Sequence, residues 1–112
     1  MKNGWRRVCV LADIPLLGAR VVKHAAQGDI ALFRNADDEV FALRDACPHK
    51  GGPLSQGIVF GRRVACPLHG MTIGLEDGCV VEDGCVMAPG AGRAQAFAVR
   101  VEPDGSVWLA DA

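Results

Sequence analysis

Apolar and polar residues alternate along this chain in short bursts, each closed by turn-forming residues, a rhythm that predicts strands rather than helices. "WRRVCVL" (Trp5 to Leu11) predicts a first strand. "ARVVKHA" (Ala19 to Ala25) and "DIALFRN" (Asp29 to Asn35) predict the next two, separated by Gln27-Gly28. The polar turn "ADDE" (Ala36 to Glu39) precedes "VFALRDA" (Val40 to Ala46), and "GIVFG" (Gly57 to Gly61) with "RRVAC" (Arg62 to Cys66) predicts a hairpin or an extended pair. "AQAFAVRVE" (Ala94 to Glu102) and "SVWLA" (Ser106 to Ala110) flank Pro103-Asp104-Gly105. There proline presets its own φ and glycine supplies the positive φ of a tight turn. "GCVMAPGAG" (Gly84 to Gly92) has no period and predicts a loop. Helix is limited to a turn or two at most, around Ala12-Asp13-Ile14-Pro15, and no repeat is present. The expected class is all-β, with one domain over residues 1–112.

Composition narrows the partners. A chain of 112 residues is one domain's worth and can remove roughly two thirds of its unfolded surface from water. Its formal net charge is −1 with no basic block, which argues against nucleic acid. No apolar run approaches the roughly 20 residues of a membrane helix. The N-terminal "MKNGWRRVCVLADIPLL" lacks the apolar stretch and small-residue cleavage site of a signal peptide. The expected compartment is therefore the cytoplasm, where free thiols and metal ligands are commoner than structural disulfides. The odd count of 5 cysteines fits that reading.

Two clusters carry the chemistry. Cys47-Pro48-His49 and Cys66-Pro67-Leu68-His69 each join a cysteine to a histidine in a Pro- and Gly-rich loop, with residues 50–65 between them. Thiolate and neutral imidazole are metal ligands of complementary softness. The prolines remove donors and restrict the backbone, and Gly51, Gly52 and Gly70 allow close approach to a bulky inorganic group. Structural zinc is one occupant of such a Cys2His2 set, although zinc fingers usually pair like ligands with wider His spacing. The other is a [2Fe–2S] cluster in which two histidines replace two cysteines on one iron. In that arrangement Cys47 and Cys66 meet one iron, and His49 and His69 the other. A cysteine can also serve simply as a small hydrophobe. Cys9, in a strand pattern, is expected in the core. Cys79 and Cys85 are expected to be ordinary thiols, His24 solvated on an edge, and Asp13, Asp37, Asp38, Asp77 and Asp83 turn residues. No carboxylate pair, phosphate loop or nucleophile stands out, so no independent catalytic site is expected.

With those ligand boxes the chain resembles the Rieske family. "GARVV", "IALFRNADDEVFAL", "CPHKGGPLSQGIV", "VACPLHG" and "FAVRVEPDG" resemble its branch of small subunits of assimilatory NAD(P)H-dependent nitrite reductases, with Lys50 to Val59 the most telling run. The resemblance implies three antiparallel sheets: a β-sandwich base with a small cluster-binding lobe inserted at about 46–73, and a covering loop at Met87–Gly92. It implies ligands Cys47, His49, Cys66 and His69. It also implies a large catalytic subunit as partner, which would carry FAD, [4Fe–4S] and sirohaem. A free-standing Rieske ferredoxin, working with an oxygenase and its reductase on aromatic rings, is the alternative; a zinc-stabilised interaction module is the third. High-potential relatives place a disulfide where this chain has Gly52 and Leu68, and a serine where it has Met71. They also use a tyrosine, and this chain has none. Fewer donors to cluster sulfur imply a potential near the low end of the Rieske range, roughly −150 mV.

Overall fold

The computed structural model describes residues 4–24, 28–47, 52–67, 72–76, 78, 80–81 and 94–110. The strands are β1 (Trp5–Val10), β2 (Gly18–His24), β3 (Gly28–Arg34), β4 (Val40–Arg44), β5 (Ile58–Phe60), β6 (Arg63–Ala65), β7 (Thr72–Gly74), β8 (Val80–Val81), β9 (Ala96–Phe97), β10 (Val99–Val101) and β11 (Ser106–Ala110). Among the described residues they form three sheets, ordered β1-β11-β10, β2-β3-β4-β9 and β5-β6-β7-β8, and every pairing is antiparallel. Among the described residues helical structure amounts to two 3₁₀ turns, Leu11–Asp13 and Leu54–Gln56. This matches the turn or two expected: the first falls near the expected place and the second elsewhere. This is the all-β class, in three antiparallel sheets, that the sequence predicts.

Four consecutive residues of β3, Ile30 to Phe33, are fully buried. Successive side chains of a strand point to opposite faces, so such a run means that both faces of the sheet are covered. Ile30 and Leu32 join Cys9, Ile14, Ala42, Phe97, Val107 and Leu109 in the base core, between the first sheet and the second. Ala31 and Phe33 join Leu43, Leu54, Val59, Val64, Ile73 and Leu75 in a second core under the third sheet. The second sheet is therefore a partition with a core on each side.

The segment Ala94–Glu102, expected as one strand, is two. β9 pairs with β4 (Ala42↔Phe97) and β10 with β11 (Val99↔Leu109), in different sheets. The break falls at Ala98, whose carbonyl accepts the Ala110 N–H at 2.9 Å. Alternation could not show the switch, because Phe97 and Val99 contribute to the same core and keep the period of two across it. The tight turn forms as expected. Gly105 has φ 90°, and the Asp104 carboxylate accepts the Ser106 N–H at 2.9 Å and its hydroxyl at 2.7 Å. Those bonds hold the Asp104 carboxyl below the usual aspartate range.

The third sheet runs past residue 73, through β7 to β8. These strands of 3 and 2 residues are too short to show a period. Between β7 and β8 the chain turns at Gly78, which donates to the Gly74 carbonyl and accepts the Ala94 N–H, both at 2.8 Å. Gly78 has φ +75°, and a Cβ there would collide with the Ala94 carbonyl. Only glycine meets both conditions.

Asn35, 1% exposed, ties the base to the third sheet. Its Oδ1 accepts the Asp37 and Glu39 N–H groups, and its Nδ2 donates to Glu39 Oε1 at 2.8 Å and to the Gly61 carbonyl at 3.0 Å. Beside it Arg62 donates from Nε and Nη2 to the two Glu39 carboxylate oxygens at 3.1 and 2.9 Å. Arg62 first, and Asn35 second, hold the Glu39 carboxyl below the usual glutamate range.

Candidate metal centre

β4 and β6 deliver the two candidate cysteines to one place. Cys47 follows β4 by three residues and Cys66 follows β6 directly. They are 3% and 2% exposed, and both belong to the core under the third sheet. β6 is hydrogen-bonded on both sides, Ala65 pairing with Ile58 of β5 and Thr72 of β7, so the start of the second loop is set by a doubly held strand. Beyond β4, the Asp45 N–H donates to the Asp29 carbonyl at 2.9 Å and the Ala46 N–H to the Arg44 carbonyl at 2.7 Å.

The first loop is closed on itself. The Cys47 N–H donates to the Gly52 carbonyl at 2.7 Å. One step outward, the Ser55 N–H donates to Asp45 Oδ1 at 2.7 Å and the Ser55 hydroxyl to Oδ2 at 2.8 Å. Leu54, fully buried, anchors the 3₁₀ turn that carries Ser55. Gly57 ends this turn. A Cβ on Gly57 would collide with the Ala65 carbonyl, so β5 can start close against β6 only from glycine. The sequence reading missed the Asp45–Ser55 pair. An acid two residues before a ligand box and a serine ten residues further on share no period and carry no motif of their own.

His49 and His69 lie outside the described residues, as do Lys50, Leu68, Met71, Asp77, Cys79, Asp83, Cys85 and the expected covering loop at Met87–Gly92. Among the described residues no group of three or more His, Cys, Asp or Glu gathers to hold an ion; Cys47 and Cys66 are the described half of the candidate set. Their chemistry fits a sulfur-liganded group: two thiols, nearly closed to solvent and set among apolar side chains, each at the mouth of a Pro-containing loop.

The remaining candidates separate from this place. Cys9 packs in the base core, and burial pushes its thiol up, so it stays neutral near neutral pH. An open hollow of about 260 Å³ beside it is lined by Arg7, Val8, Cys9, Val10 and Asp13 and includes neither Cys47 nor Cys66. His24, expected to be solvated, is half-buried at the end of β2. Asp13 accepts the Val10 N–H at 3.2 Å. Asp38 pairs with Arg34 at 2.8 Å in a turn where Asp38 itself has φ 62°.

Residues 4–97 match the family model of the Rieske [2Fe-2S] domain. Over 82 residues the chain is 39% identical to the 4beta-methylsterol monooxygenase of Methylococcus capsulatus, an alignment covering 71% of this chain and 21% of that protein. Over 72 residues it is 39% identical to the 3-phenylpropionate/cinnamic acid dioxygenase ferredoxin subunit of Photorhabdus laumondii, covering 63% of this chain and 66% of that one. The chain thus spans about a fifth of the monooxygenase and just under two thirds of the ferredoxin subunit. A solved structure from Mycobacterium tuberculosis, provisionally assigned as an NADH-dependent nitrite reductase small subunit, superposes with TM-score 0.79 at 26% identity, covering 96% of this chain and 95% of that one.

Proposed function

This chain belongs to the Rieske [2Fe–2S] domain family, and on that premise we propose that it is the electron-transfer small subunit of a nitrite reductase that reduces nitrite to ammonium with NAD(P)H. Rieske domains bind a [2Fe–2S] cluster and serve as electron-transfer components of oxidoreductases. The observation that supports the finer reading is the near end-to-end likeness to the structure provisionally assigned as a nitrite reductase small subunit. The run Lys50 to Val59 supports it.

In this reading Cys47 and Cys66 hold one iron, and His49 and His69 the other. The bound cluster supplies one-electron transfer. The chain's part is to bury the two thiolates among Leu54, Val59, Val64 and Ile73, which limits water at the sulfur end. Gly52, Leu68 and Met71 supply no side-chain donor to cluster sulfur, which favours a potential toward the low end of the Rieske range. Nitrite reduction to ammonium needs more electrons than a one-electron relay holds. In this reading the nitrite chemistry belongs to a large catalytic subunit, which by the resemblance to the nitrite reductase branch would carry FAD, [4Fe–4S] and sirohaem, and no independent catalytic site is expected on this chain. Among the described residues no helix is long and apolar enough to cross a membrane; a cytoplasmic site of action is part of the proposal.

A second reading, a Rieske ferredoxin serving a ring-hydroxylating oxygenase and its reductase, is favoured by the 39% identity to a dioxygenase ferredoxin subunit. Zinc has no comparable support beside the family match. The two redox readings separate by reconstitution. Holoprotein added to a sirohaem-containing large subunit with NADH or NADPH is expected to raise ammonium formation from nitrite. Failure to bind or stimulate that subunit, together with support of oxygenase turnover, would replace the first reading by the second. EPR of the dithionite-reduced protein checks both, since mixed His and Cys ligation lowers the average g relative to an all-cysteine cluster.

A further inference from the structure

We infer that Asp45 is a positioning residue for the cluster, acting through the loop that carries Cys47 and His49. The inference rests on the reading of those two residues as ligands. Three observations support it. First, both carboxylate oxygens of Asp45 are engaged by a single residue, Ser55, through its N–H at 2.7 Å and its hydroxyl at 2.8 Å. Two short bonds to one partner fix the carboxylate in orientation as well as in place. Second, the two residues of this clamp bracket the first loop. Between them the Cys47 N–H closes a smaller ring on the Gly52 carbonyl at 2.7 Å. Third, both ends of the clamp are rooted in the fold. The Asp45 N–H is bound to the Asp29 carbonyl of β3 at 2.9 Å, and Leu54, next to Ser55, is fully buried in the same core as Cys47.

A loop of this length left open would have to be ordered at the moment of cluster binding, and that entropy would weaken retention. The clamp orders its ends beforehand. Asp45 lies two residues from Cys47 and acts as an acceptor of two bonds. Its role is geometric, so a neutral side chain of the same shape should take it over.

The test uses the full chain loaded with cluster under anaerobic conditions. The rate of cluster loss to a ferrous-iron chelator, the EPR spectrum of the reduced state and the unfolding midpoint of the apoprotein are measured for each variant. Asp45→Ala is expected to speed cluster loss about 10- to 100-fold, the usual scale for removing a group that orients a metal ligand, and to broaden the EPR lines. Asp45→Asn keeps an oxygen for the Ser55 N–H and an amide that can donate to the hydroxyl. It is expected to restore retention and line shape to near wild type, a rescue that loss of overall stability would not produce. Ser55→Ala keeps the N–H bond and should fall between the two. It also decides the matter if Asp45→Ala does not fold. Wild-type retention in Asp45→Ala or Ser55→Ala overturns the inference, and so does an Asp45→Asn variant that loses the cluster as fast as Asp45→Ala. Cys47→Ser is the separate control. An unchanged spectrum and iron content there would overturn the ligand reading itself, whatever Asp45 does.

Discussion

The two cores on either side of the β2-β3-β4-β9 sheet are built on different principles. The base core is closed by protein alone. Strands of 5 to 7 residues from two sheets meet there, joined by the shorter β9 and β10, and the buried members are hydrocarbon side chains and one neutral thiol, Cys9. The core under the third sheet is roofed by strands of only 2 or 3 residues, and two of its buried members are Cys47 and Cys66. Strands that short bury little by themselves. Their place is set by Phe33 and Leu43 from the partition, by the Asp45–Ser55 clamp, and by Asn35 and Arg62 at the hairpin tip. A base whose core needs no metal ligand can hold a lobe whose packing an inorganic group completes, because a metal site's binding free energy adds to folding.

The largest expected effect separates the cores outright. Removing the cluster, by Cys47→Ser or His69→Ala, should abolish the Rieske spectrum. It should also strip hydrogen-exchange protection from the amides of β5 to β7 and leave those of β3 and β11 protected. Equal loss on both sides would break the comparison.

Truncating one leucine in each core comes next. Leu109→Ala in the base should destabilise apoprotein and holoprotein alike by about 2–5 kcal/mol. Leu54→Ala under the third sheet should add faster cluster loss to a destabilisation of similar size. Denaturant unfolding with and without cluster measures both. A Leu109→Ala effect seen only in the holoprotein would contradict the self-sufficiency of the base.

Asn35→Ala removes four hydrogen bonds at the tie between the two regions. It should cost about 1–3 kcal/mol, the usual scale for stranding buried polar groups. The added exchange should concentrate around Gly61 rather than at Cys47.

The smallest effect is the pH dependence of Glu39. Arg62 and then Asn35 depress its carboxyl, so its contribution is complete above the unfolded glutamate value, about 4.3, and is lost as pH falls through the lower folded value. The gap in Tm between wild type and Glu39→Gln should hold steady from neutral pH to about 5 and narrow at more acid pH. A gap that widens on acidification would refute the sign.

The sequence alone determined what depends on near neighbours. Alternation placed β1 to β6 and β11 within a residue or two. Pro103-Asp104-Gly105 specified its turn, because φ preferences and an Asp side chain act within a few residues. The two candidate ligand boxes stand out for a related reason: metal chemistry restricts residue type so strongly that Cys-x-His and Cys-x-x-His are conspicuous without a fold. Tertiary structure decided what depends on distant partners. The passage of the chain from β9 to β10 between sheets leaves no trace in alternation, since Phe97 and Val99 face the same core. The apolar run Ile30 to Phe33 reads as a strand in sequence, but only the packed sheets show that it divides two cores. The Asp45–Ser55 clamp spans ten residues with no repeating pattern; a carboxylate and a hydroxyl become partners only when the burial of Leu54 and the end of β4 bring them within hydrogen-bonding distance.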